Sequence, residues 1–144
     1  MKGDQLPAQD HVARYCGYST LAEDGSVLPA AFRLRKEAKE SYLSVQWLEC
    51  LQKSDRLSEV QEVRRILSGK NFRLGATAKI AVINVGTICC HVEVSSRFKI
   101  RVLHEPESDD ISHSGIYDTI QDERMISELI TEKVLETHPA VLPH

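Results

Sequence analysis

Lys79-Ile-Ala-Val-Ile-Asn-Val85, Thr87-Ile-Cys-Cys-His-Val-Glu-Val94 and Phe98-Lys-Ile-Arg-Val-Leu-His104 are three apolar, β-branched runs, and how they are read decides the fold class. Branched side chains lose little on a pleated surface, and all three runs largely alternate, so the spacing predicts an antiparallel meander around 78–104. The faces choose its register. A two-residue turn at Ser95-Ser96 sets Val94 opposite Arg97 and Val92 opposite Lys99, which mixes core and solvent. A three-residue connection through Ser95, Ser96 and Arg97 pairs Val94 with Phe98, Val92 with Ile100 and Cys90 with Val102, and one face becomes apolar.

On either side of the meander the pattern turns helical. Upstream, Ser54 or Asp55 can cap a helix at about 55–68, with Val60, Val63 and Leu67 in one stripe and Gly69 as its stop. Downstream, Met125, Ile126, Leu129, Ile130 and Val134 predict a second amphipathic helix at about 122–137, ended by Pro139. Glu105 to Asp110 reads as an acidic loop, continued by Ser112-His-Ser-Gly115. Nearer the amino terminus, His11 to Cys16 and Ala30 to Arg35 have strand character, separated by a turn at Asp24-Gly25. Leu43, Val45 and Trp47 also fall at strand spacing, while Leu48 and Leu51 suit a following helical turn. Residues 1–10 are polar, contain Pro7 and read as a flexible arm ahead of a single α+β domain at 11–144, its mostly antiparallel sheet packed with the two helices.

At 144 residues, 42% apolar and 27% charged, the chain has enough core to fold without staples. A net charge of −3 argues against a general phosphate-binding surface. The first ten residues lack an apolar signal-like core and no run suits a membrane span, so a cytoplasmic protein is expected. Cys16, Cys50, Cys89 and Cys90 fit free thiols better than a disulfide framework.

No phosphate-binding glycine loop, nucleophile elbow, H-E-x-x-H or C-x-x-C is present. The cysteines with His91, His104 and His113 lack closed-site metal spacing, and neither a metal nor a cofactor is expected. The acidic loop lacks the alternation of a calcium loop, and Arg64, Arg65, Lys70 and Arg73 form a modest basic patch suited to solvating a helix end.

His11, Arg14, Ser44 and His113, with Tyr15, form the more interesting set, because each lies beside apolar residues at a strand or loop boundary. Imidazole serves as a base or acid near neutral pH, and guanidinium holds phosphate through a planar fork. The segments His11-Val-Ala-Arg14 and Leu43-Ser-Val45 resemble the parts of ADP-ribosyltransferase-type domains that place a His or Arg on the first strand and a Ser on a later one. No matching catalytic Glu is identifiable here. The resemblance implies nucleotide or RNA chemistry, with His11 as base, Arg14 as phosphate holder and His113 as acid. Tyr42 and Trp47 are candidate anchors for a partner protein, with core packing the competing role for Trp47. Good folding signals without a complete reactive motif lead to the expectation of a small accessory module that docks to a partner protein. A compact nucleotide- or RNA-processing enzyme, ADP-ribosyltransferase-like or nuclease-like, is the alternative.

Overall fold

The computed structural model describes residues 1–70 and 74–142 of the chain. The fold is α+β: six strands form one antiparallel sheet and three helices pack on it. The strands are β1 (His11–Cys16), β2 (Leu43–Trp47), β3 (Lys79–Asn84), β4 (Arg101–His104), β5 (His113–Tyr117) and β6 (Glu136–Pro139), in the order β4-β5-β2-β1-β3-β6. The helices are α1 (Arg56–Ser68), α2 (Val85–Ser96) and α3 (Glu123–Thr131).

The expected meander holds at its two ends and fails in the middle. Lys79–Asn84 and Arg101–His104 are strands, but Val85–Ser96 is a helix, and the proposed pairing of Val92 with Ile100 across a turn does not form. Asn84 causes the switch: its side-chain oxygen accepts from both the Thr87 backbone N–H and the Thr87 hydroxyl, each at 2.8 Å, which caps the first turn. Val85, Ile88 and Val92 then fall on one buried helical stripe. Arg97 closes the helix in the left-handed conformation, φ 69°, donating its N–H to the Glu93 carbonyl. Burial of that stripe overrides the β preference of its residues, at roughly 1.5–3 kcal/mol per large side chain.

Four further expectations are corrected by the same logic of partners outside the segment. The helix expected at 122–137 ends at Thr131, and 136–139 pairs with β3 as an edge strand, where Pro139 costs no ladder bond. Ser112-His-Ser-Gly115, read as loop, enters β5, an interior strand between β4 and β2. Ala30 to Arg35 is not a strand, and Pro29–Phe32 forms a 3-10 turn that seats Phe32 in the core. Residues 1–10, expected as a flexible arm, lie along the edge of β4: Leu6 is buried, its N–H donates to the Val102 carbonyl, and the Gly3 N–H donates to that of His104.

One sheet face carries the main core. Val12, Leu43, Val45, Ile83 and Ile116 meet Ile88 and Val92 of α2, Ile126 and Ile130 of α3, and Phe32. The other face is only half covered. Val60 and Val63 of α1 pack on Ala13, Ile80 and Val82, which belong to the β1–β3 side of the sheet. Among the described residues no helix covers the β2–β5 side of that face, whose floor is Ser44, Gln46, His113 and Gly115. Among the described residues no helix is long and apolar enough to cross a membrane.

Candidate functional site: a cleft on the half-covered sheet face

Between α1 and the β2–β5 floor lies a cleft of about 400 Å³, within the size range of small-ligand pockets. Ser44, Gln46 and His113 line it from the sheet, Val63 and Leu67 from α1, and Lys70 from just beyond that helix. The strap at 35–42 and Glu107 form its two rims.

Arg14 fixes the strap, from the opposite side of the sheet. Its side chain is 0% exposed, and its Nε donates to the Ala31 carbonyl at 2.6 Å. Nη1 donates to Glu40 and the Ser44 carbonyl, and Nη2 to Glu40 and the Arg33 carbonyl, at 3.0 to 3.2 Å. A guanidinium has five N–H donors, and all five are engaged. Glu40 is nearly as buried, with 6% of its side chain exposed, and also accepts the Arg35 and Ser44 backbone N–H groups. Burial by itself would raise the Glu40 carboxyl, but the charge and hydrogen bonds of Arg14 outweigh it and hold the group below the usual carboxylate range.

The other rim is fixed by a second buried carboxylate. Asp110 takes an ion pair from Lys70 and hydrogen bonds from Gln46 Nε2 at 2.9 Å and Ser112 Oγ at 2.9 Å. Burial pushes its carboxyl up, and these partners more than reverse the push. Lys70 bonds Glu107 at 3.1 Å as well, so the end of α1 is tied to the 105–112 loop. Because Gln46 is held by Asp110 and Ser112, it is a framework residue of the floor.

Tyr42 forms the wall between the rims. Its ring stacks on Tyr117 with centroids 4.7 Å apart and tilts toward His113 at 6.0 Å. The ring lies across Gly115, where an added Cβ would fall 2.7 Å from Cε1 and 2.8 Å from Cγ, so glycine is required for this close approach. Burial, followed by the charges of Glu105 and Glu107, raises the Tyr42 phenol above its ordinary value.

His113 has a defined tautomer. Its Nδ1 lies 2.9 Å from the Glu105 carbonyl oxygen, which can only accept, so Nδ1 carries the proton and Nε2 of the neutral ring presents a lone pair. Neither that nitrogen nor the Ser44 hydroxyl has a hydrogen-bond partner among the described residues. Ser44 stands opposite Gly115 and Gln46 opposite His113, which makes Ser44 and His113 diagonal neighbours, roughly 7–8 Å apart in such a ladder. No hydrogen bond joins them, so they are not assembled as nucleophile and base.

Of the residues singled out in the sequence, the structure thus brings Ser44, His113, Tyr42 and Tyr15 to one cleft. His11 lies elsewhere, with its Nδ1 and its backbone N–H each 2.7 Å from the Glu49 carboxylate. Arg14 has no donor left for a phosphate. Trp47 is on the opposite face of β2 from Tyr42, donating Nε1–H to Asp10 at 2.9 Å and packing edge-on against His104, so the two aromatics cannot form one docking patch. Of the basic patch, Arg65 pairs with Glu62 and Lys70 with the acidic loop, while Arg73 lies outside the described residues. Among the described residues no group of three or more His, Cys, Asp or Glu side chains is placed to hold a metal ion. The structure adds Glu40, Lys70, Asp110 and Gly115 to the site. Only the alternation of Tyr42, Ser44 and Gln46 could have signalled it, as polar positions inside a strand otherwise facing core.

Comparison of the chain with protein-family models, with curated proteins and with solved structures finds no match.

Proposed function

We propose that this domain is a non-catalytic binding module and that the cleft beside β2 and β5 is where it receives a small ligand. The single observation that carries this reading is the preformed cleft itself. Two ion pairs with buried carboxylates, Arg14–Glu40 and Lys70–Asp110, hold its rims, while Ser44 and His113 stand on its floor with hydrogen-bonding capacity unfilled. Polar floor groups at this density orient a ligand, and the apolar walls supply the contact area. Tyr42, expected to anchor a partner, acts in this reading as a wall of the pocket. Thermal unfolding of the purified domain against a library of small polar compounds tests it. Binders should raise the midpoint of the wild type and lose most of that effect in Tyr42→Ala. A library without binders, or binders indifferent to Tyr42, counts against the cleft.

The compact-enzyme reading keeps one favourable observation, the lone pair of His113 Nε2, which suits a general base. On that reading His113→Gln abolishes turnover while leaving ligand affinity within a few fold. Turnover of any nucleotide or short RNA by the wild type would move the assignment from module to enzyme.

A further inference from the structure

The two rims of the cleft differ in charge. On the strap side the charged side chains lining the cleft are Arg35, Lys39 and Glu40, a surplus of one positive charge. On the loop side Glu107 and Lys70 line the cleft, and the buried Asp110 behind Lys70, with Glu105 and Asp109 in the same loop, leaves an excess of negative charge. The strap enters β2 at Leu43, whereas the loop meets the far end of that strand, where Gln46 pairs with His113 and bonds Asp110. The field therefore runs along the floor. The hydrogen-bonding groups agree with it: at the loop end the unfilled capacity is acceptor capacity, from His113 Nε2 and the half-exposed Glu107 carboxylate.

We infer that the cleft selects a small zwitterion, with its cationic nitrogen toward Glu107 and His113 and its anionic group toward Lys39. This rests on the cleft being the binding site and deepens that reading. A cationic head at the loop end meets a carboxylate, an imidazole lone pair and the Tyr42 ring, beside a Lys70 ammonium that Glu107 and Asp110 already neutralise. Burial is the main reason the Tyr42 phenol is raised, and the charges of Glu105 and Glu107 add to it with the same sign. A polyanion such as a nucleoside triphosphate fits poorly, because Arg14 has no donor left and Lys70 is already shared by two carboxylates.

The test is isothermal titration of the intact chain with three matched probes: 4-guanidinobutanoate, butylguanidinium and butanoate. The zwitterion should bind best, by about two- to fivefold over either single-charge probe, the size expected from one partly exposed charge contact. Lys39→Glu should weaken 4-guanidinobutanoate and strengthen butylguanidinium, and Glu107→Gln should weaken both guanidinium probes and favour butanoate. Both residues are exposed enough for the substitutions to spare the fold, and circular dichroism of each variant verifies that. Equal affinities for the three probes, or affinities unmoved by both substitutions, overturn the inference. So does the absence of binding by all three while other library compounds still bind through Tyr42, an outcome that leaves the binding-module reading standing.

Discussion

Replacing Arg14 with Met keeps most of the side-chain volume and removes the charge from a site with 0% exposure. Glu40, 6% exposed, then loses its main counter-charge but keeps the Arg35 guanidinium at 4.0 Å and two backbone N–H donors. Breaking a buried ion pair from one side costs about 3–5 kcal/mol, and the remaining partners of Glu40 place this case near 3 kcal/mol. With a urea slope of about 2 kcal/mol per M, the unfolding midpoint should fall by about 1.5 M. The pH dependence should change too. In the wild type the Glu40 carboxyl is held below its unfolded value, so the stability it confers is present above that value and is lost as pH falls through the depressed folded one. In Arg14→Met the carboxyl is instead pushed up by burial, so the variant's deficit should shrink on acidification through about pH 4–5 as protonation neutralises it. Urea titrations of both proteins at several pH values read out both effects. A midpoint within about 0.3 M of wild type, combined with lost binding of a phosphate-bearing ligand, would refute the reasoning and return Arg14 to the role of phosphate holder.

Three other outcomes are expected. Gly115→Ala should cost about 1–3 kcal/mol by driving a methyl into the Tyr42 ring, and Tyr42→Ala in the same chain should recover part of that loss, measured as a non-additive double-mutant cycle. Val92→Asp should unfold the domain by burying an unpaired charge, whereas Val94→Asp, on the exposed side of α2, should stay within about 0.5 kcal/mol; comparable damage from both would favour a strand at 85–96. Asp110→Asn should flatten the loss of stability between neutral pH and about pH 3, because the carboxyl of Asp110, held low by Lys70, Gln46 and Ser112, is one source of that loss; an unchanged acid profile by circular dichroism would contradict the clamp.

Where the sequence could be read, the signal was local. Asp55 caps α1, accepting the Ser58 N–H at 2.8 Å, and Val60 and Val63 face the sheet from the expected stripe. The α+β class followed from such signals. What was misread depends on partners distant in the chain. Val85–Ser96 alternates as well as any strand, and only the capping by Asn84 and the core waiting for Ile88 and Val92 make it a helix. His113–Tyr117 has the serines and glycine of a loop, and becomes an interior strand because β4 and β2 pair on its two sides and Tyr42 covers Gly115. The site was legible as a set of residue types, since Ser44 and His113 do meet one cleft. Its geometry was not, because nothing local shows that Arg14 faces the opposite side and finds Glu40, Ala31 and Arg33.

Ligand binding at the cleft over Ser44 and His113 can be read residue by residue. Two-dimensional amide spectra of the labelled domain, recorded while a compound from the thermal screen is added, test it most directly. Saturable shifts should group at the strap, β2, β5 and the end of α1, with His113 and Ser44 among the largest and the Val85–Ser96 amides unmoved. Saturable shifts centred on α2 or on the Trp47 side of β2, with the cleft silent, would contradict it.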